Sequence, residues 1–294
     1  MTNIKRPALR YHGGKWKLAP WIISQFPPHV CYVEPFGGGG SVLLRKQPSK
    51  IEVYNDINSM VVNFFKVLRS QPDALIYAIN YTPYSRQEFI DSQTMEGCNA
   101  LEKARRFYIW SWQGRGRAGV KEPGGWRFMS RDTRGRTPVD DWNNNSHLWN
   151  IANRLLQVQI EHDDALKVIQ RFDDPKTLFY IDPPYVQHTR GLRWNHSAYS
   201  FEYTDDNHRE LAQLLKSITG MIVISGYPSE LYNSLYQDWH KIERPGQKDN
   251  APQRDTTECL WLSPNIHTIQ KEMKLRQTTI LTPGQFSRLW GIPE

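Results

Sequence analysis

Tyr32-Val33-Glu34-Pro35-Phe36-Gly37-Gly38-Gly39-Gly40-Ser41-Val42 reads as an apolar strand running into four glycines and then a helix. Glycine has no Cβ and tolerates positive φ, so a ligand can lie against bare backbone at the start of that helix. The dinucleotide fingerprint GxGxxG is not met. Counted from Gly37 its last position is Val42, and counted from Gly38 it is Leu43, which argues against a nicotinamide enzyme. Asp56 closes the next apolar run in Tyr54-Asn55-Asp56-Ile57-Asn58, where a carboxylate can accept hydrogen bonds from both ribose hydroxyls of a nucleoside. In this order, the two features point to a nucleoside-bearing small molecule.

Working outward, Val30 to Val33, Ile51 to Tyr54, Thr177 to Ile181 and Met221 to Ser225 are short apolar runs bounded by turn residues. Such runs suit strands buried on both faces. Asn58 to Leu68 carries Val61, Val62, Phe65 and Leu68 at helical spacing, and Thr204 to Ile218 carries Leu211, Leu214, Leu215 and Ile218, with Thr204 as N-cap. Leu231 to Trp239 reads as a further amphipathic helix, and the aspartates at 163–164 and 173–174 as a cap and a turn around another. The class is α/β, a mostly parallel sheet with crossover helices. The alternation breaks between about Tyr81 and Trp149. There Leu101 to Trp112 can form one helix, but Gln113 to Asn145 is too long and too rich in Gly, Arg, Asn and Pro for an ordinary connection. We read 1–80 and 151–294 as the sheet-bearing domain and 81–150 as an inserted, mainly helical and irregular subdomain. Val186 to Tyr203 reads as a loop beside the site.

A second stretch carries chemistry: Leu178-Phe179-Tyr180-Ile181-Asp182-Pro183-Pro184-Tyr185. Two prolines directly after a strand end its pairing and hold the backbone extended, so the Asp182 carboxylate and the Pro183 carbonyl can face one small space. Two converging acceptors suit an exocyclic amine such as the adenine 6-NH2, and the Tyr185 ring offers a stacking face for a base.

Composition narrows the function classes. Of 294 residues, 39% are hydrophobic and 23% charged, which excludes a disordered or fibrous chain. The apolar runs fall well short of the roughly 20 residues needed to span a bilayer. Residues 1–15 are polar and charged rather than signal-like, and Cys31, Cys98 and Cys259 form neither a disulfide framework nor a metal knuckle, so a reducing cytoplasm is expected. His188 and His196 lack metal-ligand spacing, and no metal is expected. The net charge is +7, and 103–136 holds ten Lys and Arg against Glu122 and Asp132, interleaved with three tryptophans and six glycines. This concentration reads as a phosphate-contacting surface, with Arg115, Arg117, Lys121, Arg127, Arg131, Arg134 and Arg136 as its candidate contacts.

Gly13-Gly14-Lys15, Glu34 to Gly40, Asp56-Ile57-Asn58 and Asp182 to Tyr185 stand in one order, and together they resemble the Dam-type, α-order DNA adenine-N6 methyltransferases of bacteria and phages. The stretches Arg10 to Lys15 and Ser225 to Pro228 are similar to that subgroup as well. The resemblance implies a Rossmann-like catalytic domain that uses S-adenosylmethionine and releases S-adenosylhomocysteine, with a target-recognition insert whose candidate phosphate contacts would be DNA contacts. By motif, Tyr11 and Lys15 would contact the cofactor, and Glu34, Pro35, Phe36, Gly37, Gly39 and Ser41 would wrap its methionyl end. Asp56 would take the ribose, Ile57 would pack on its adenine, and Asp182, Pro183, Pro184 and Tyr185 would form the catalytic tetrad, with Asp182 near both cofactor and target. The substrate would be a flipped adenine in double-stranded DNA, as in restriction-modification enzymes, and the enzyme a cytoplasmic, nucleoid-associated monomer or homodimer. The family's reversed strand would be Glu258 to Leu262. Tyr11 stands where many relatives carry Trp, and Gln113 to Arg117 does not reproduce the asparagine-rich segment of GATC-methylating members, so that target is not carried over. From the residues alone, a non-catalytic nucleic-acid-binding module and a methyltransferase acting on cytosine N4 or RNA stay open.

Overall fold

The computed structural model describes residues 4–116, 118–120, 124–131, 135–190, 199–244 and 257–266. Seven strands form one sheet: β1 (Cys31–Glu34), β2 (Ile51–Asn55), β3 (Val158–Glu161), β4 (Thr177–Ile181), β5 (Met221–Gly226), β6 (His240–Arg244) and β7 (Glu258–Leu262), in the order β3-β2-β1-β4-β5-β7-β6. The first five pair in parallel, and β7 runs antiparallel to both β5 and β6. Glu258 to Leu262 is therefore the reversed strand. β3 and β6 do not read as apolar runs: they lie at the two edges, half-exposed, β3 alternating apolar with polar residues and β6 carrying Ile242 as its one apolar side chain.

Strand periodicity divides the core. Tyr32, Tyr54, Leu178, Tyr180 and Val223 point to one face, under the helices Ser59–Ser70, Pro72–Asn80, Ala100–Gln113 and His147–Leu155. Val33, Val53, Phe179, Ile181 and Ile224 point to the other, under Ala165–Arg171 and Asp205–Ser217. The result is an α/β, Rossmann-like sheet covered on both sides. Asn58 and Thr204 are N-caps, their side chains accepting from the amides of Met60 and Asn207, and Asp164 caps the helix after it. Within 81–150, the helix Ala100–Gln113 shares the sheet's core, with Tyr108 stacked on Phe64 at 5.9 Å.

Two local expectations change. After the glycines the chain makes helical turns, Leu44 N–H to Gly40 O at 3.0 Å and Lys46 N–H to Val42 O at 2.9 Å, but no sustained helix. Pro48 has no amide to continue the ladder, and β2 must begin at Ile51. The helix expected over 231–239 is confined to Glu230–Leu235, because the chain turns through Tyr236 and Trp239 to enter the edge strand β6.

One buried ionic cluster ties the covering layer to the sheet. Glu52 on β2 accepts from Lys46 at 2.6 Å and from Arg154 at 2.7 Å, and Arg154 also donates to Leu43 O at 3.1 Å. It fastens the segment that follows the glycines to β2 and to the helix His147–Leu155.

Candidate active site

The ends of β1, β2 and β4 meet at the carboxyl edge of the sheet, where strand order reverses on either side of β1. Parallel sheets open a crevice at such a point. Glu34 ends β1. The chain then turns so closely over β2 that a Cβ on Gly37 would stand 2.3 Å from the Tyr54 ring. Gly37 N–H donates to Asn55 O at 2.7 Å, the Tyr54 hydroxyl donates to Gly38 O at 2.6 Å, and Gly38, with φ +48°, presents its amide to Asp56 Oδ2 at 2.7 Å. Asp56 Oδ1 accepts from Asn58 N–H at 2.8 Å. Both oxygens thus hold a backbone donor and keep a lone pair each for a ligand. Burial outweighs these bonds and pushes the Asp56 carboxyl up to about 6. Burial likewise pushes Glu34 up to about 8, although the Tyr32 hydroxyl donates to it at 2.5 Å.

Asp182 follows β4 directly. Its Oδ1 accepts from Ser225 Oγ on β5 at 2.7 Å and lies 3.0 Å from Lys15 Nζ. Lys15 also donates to Gly13 O at 2.9 Å, lies 3.9 Å from Glu258 Oε1, and stands 4.5 Å from the centroid of the Tyr185 ring. Burial disfavours that ammonium, but Asp182 and Glu258 outweigh it and hold the Lys15 pKa above its ordinary value. The Tyr185 hydroxyl donates to Glu258, and Tyr227 meets the Tyr185 ring edge-on at 4.7 Å.

Beside these groups lies a cavity of about 300 Å³. Its wall includes every residue read as cofactor-binding: Tyr11, Lys15, Glu34, Pro35, Phe36, Gly37, Gly39, Ser41, Asp56, Ile57 and Asp182. Of the tetrad, Asp182 and Pro184 line it, whereas Pro183 and Tyr185 do not. The stacking face expected of Tyr185 is enclosed, the residue being 5% exposed with its phenol held by Glu258. That partner arrives on the reversed strand, more than seventy positions away in sequence. Residues 199–203 form the opposite wall, held by Arg190, which donates to Glu202 and to Tyr185 O at 2.7 Å each.

Residues 11–251 match the family model of the D12 class N6 adenine-specific DNA methyltransferases. The chain belongs to that family. It is 25% identical over 260 residues to the Type II methyltransferase M1.LlaDCHI of Lactococcus lactis subsp. cremoris, covering 81% of this chain and 87% of the relative. It is 26% identical over 246 residues to the DNA adenine methylase of Salmonella typhi, covering 79% and 84%. The match to the Type II methyltransferase M.MjaIII of Methanocaldococcus jannaschii is 21% over 266 residues, covering 80% and 89%. The protein is an adenine-specific DNA methyltransferase, and methyl transfer in the D12 family implies S-adenosylmethionine. Among the described residues no helix is long and apolar enough to cross a membrane, and no group of three or more His, Cys, Asp or Glu is placed to hold a metal ion.

In this D12 methyltransferase the basic segment is less free than its charge count suggests. Arg105 and Arg106 pair with Glu102 at 2.7 and 2.6 Å, and Arg127 pairs with Asp141 at 2.8 Å. Arg115, Arg131 and Arg136 are exposed, Arg115 lying 4.8 Å over the Phe128 ring. Arg117, Lys121 and Arg134 lie outside the described residues, as does 191–198 of the loop read beside the site. The wall from Tyr199 to Tyr203 belongs to the loop read beside the site. Sequence reasoning missed Glu258 as a site residue and Gly119, whose carbonyl accepts from Ser200 N–H at 3.1 Å at the cavity rim. One signal was present for Glu258: an acidic residue opening an otherwise apolar strand, Cys259 to Leu262, needs a buried partner.

Proposed function

We propose that the cavity binds S-adenosylmethionine and that Asp182 presents the target adenine amine to it. The fit is electrostatic and steric. Asp56, Asp164, Asp182 and Glu202 face the cavity against Lys15 and His12, an acidic lining suited to a ligand bearing a sulfonium and an ammonium. The Gly37 to Gly39 backbone lies where side chains would clash, Cβ atoms on Gly38 and Gly39 each meeting Tyr11 at 3.0 Å. Asp56 would accept from the ribose hydroxyls, Ile57 would pack on the adenine, and Glu34, Pro35, Phe36 and Ser41 would hold the methionyl end. When bound, the cofactor supplies an electrophilic methyl group and departs as S-adenosylhomocysteine; no metal is required.

The chain's own task is to make the amine nucleophilic. The adenine N6 lone pair is delocalised into the ring, and attack requires it to localise while positive charge grows on nitrogen. Ser225 and Lys15 both engage Asp182 Oδ1, which leaves Oδ2 for the amine; the Pro183 carbonyl, the second acceptor expected from sequence, belongs to a residue outside the cavity wall. Acceptors that strengthen as charge develops stabilise the transition state over the ground state. The nitrogen–carbon bond forms as the sulfur–carbon bond breaks with its electron pair staying on sulfur, and the amine's surplus proton leaves to solvent. Because the amine is paired inside a duplex, the base must be flipped out, at a cost of a few kcal/mol. Tyr185 enters this reading as the ring that backs Lys15, and Pro184 as the rigid wall beside Asp182. The 81–150 interval carries DNA recognition, with Arg115, Arg127, Arg131 and Arg136 on phosphates and Arg117, Lys121 and Arg134 assigned there by sequence. The catalytic unit is 1–80 with 151–294, acting in the bacterial or phage-host cytoplasm as a monomer or homodimer.

The observation that carries this reading is that Asp182, at the end of β4, shares one cavity with the Gly37 to Gly39 cradle and Asp56. Wild type and Asp182→Ala expressed in a methylation-deficient host, with modified bases mapped by single-molecule sequencing, test it. Wild type should leave N6-methyladenine in one DNA word and the variant none, while keeping DNA affinity. Methylation by the variant would refute the assignment.

A further inference from the structure

We propose that Glu258 is a positioning residue for methyl transfer: by sharing the Lys15 ammonium and anchoring the Tyr185 phenol, it sets how strongly Asp182 can accept the substrate amine. The inference rests on the assignment of Asp182 above.

Lys15 Nζ sits between two carboxylates, 3.0 Å from Asp182 and 3.9 Å from Glu258. The side chains are 7% exposed for Lys15, 17% for Asp182 and 8% for Glu258, so their fields are weakly screened. An aspartate alone with a buried ammonium has its charge neutralised and accepts poorly from a neutral amine. A second carboxylate on the same ammonium draws part of that field away and leaves net negative charge for the amine. Glu258 is itself outside the cavity wall, so it acts through Lys15 and Tyr185 rather than by touching cofactor or base.

Its placement follows from topology. β7 runs opposite to β5, so the first residue of β7 lies at the carboxyl edge where β4 and β5 end. The pairs Cys259 with Gly226 on one side and Glu258 with Arg244 on the other fix the register, and a one-residue slip would turn Glu258 to the opposite face. Held on a central strand, the carboxylate is rigid enough to place an ammonium.

Glu258→Gln keeps the size and an acceptor for the Tyr185 hydroxyl but removes the charge, letting Lys15 settle on Asp182. Steady-state kinetics should show kcat lowered about tenfold or more, with KM for S-adenosylmethionine and DNA affinity within about twofold of wild type. A kcat within twofold of wild type would overturn the inference, as would a loss confined to KM. If Glu258→Gln does not fold, Glu258→Asp decides: kcat reduced at least threefold with unchanged cofactor binding supports the role, and wild-type kcat overturns it. Asp182→Ala in the same assay separates the two readings. An active Asp182→Ala removes the assignment on which the inference stands, whereas an inactive one beside a wild-type Glu258→Gln removes the inference alone.

Discussion

Ser225 Oγ donates to Asp182 Oδ1 at 2.7 Å, so a residue inside β5 orients the carboxylate that ends β4. The Tyr180 hydroxyl, 3.2 Å from the same serine oxygen, extends the chain along the sheet. A buried hydrogen bond to a charged group contributes about 1.5–3 kcal/mol. Ser225→Ala should therefore lower kcat by about ten- to a hundredfold. Ser225 is not in the cavity wall, so calorimetry should find S-adenosylmethionine affinity little changed. A parallel fall in both would mean the serine supports the fold rather than the carboxylate.

Asp56 ties cofactor affinity to pH. Burial raises its folded pKa to about 6, above the unfolded range, so on acidification the folded state takes up this proton first. The Asp56 contribution to apo-protein stability then rises as pH falls through about 6, while affinity for S-adenosylmethionine falls because a protonated carboxyl is a poorer acceptor for ribose hydroxyls. Titration calorimetry between pH 5 and 8 should show this weakening in wild type, and Asp56→Asn should bind weakly with the dependence flattened. An unchanged dissociation constant in the variant would remove Asp56 from the ribose.

The arginines should separate by partner. Removing Arg115 or Arg136, both exposed, should weaken DNA binding and reduce the slope of log K against log salt by about one each. Arg127→Ala should change the slope less, since its guanidinium is already paired with Asp141 at 2.8 Å. Equal slopes for all three would place the phosphate track elsewhere.

Stability should depend on the Glu52 cluster more than on any surface pair. Glu52→Ala strands Lys46 and Arg154 as buried cations and should cost roughly 3–5 kcal/mol by urea unfolding. Arg171→Ala, which loses only solvent-screened surface pairs to Glu161 and Asp163, should leave the urea midpoint close to that of wild type.

Much of this was written locally. The apolar runs at 31–34, 51–55, 177–181 and 221–226 are strands because both faces are buried, and glycines 37–39 and Asp56 line one cavity because consecutive strands of a parallel sheet end at the same edge. Chain order alone therefore determined the strands at the sheet's centre and which of their terminal residues, Asp182 among them, line the cavity. What tertiary structure decided was pairing between distant segments. The edge strands carry no apolar signature, Arg105, Arg106 and Arg127 prove to be partnered, and Tyr185 is enclosed by Glu258. Burial and charge pairing are properties of neighbours in space, and the reversed strand brings Glu258 to Lys15 across more than two hundred residues, a contact with no counterpart in spacing or composition.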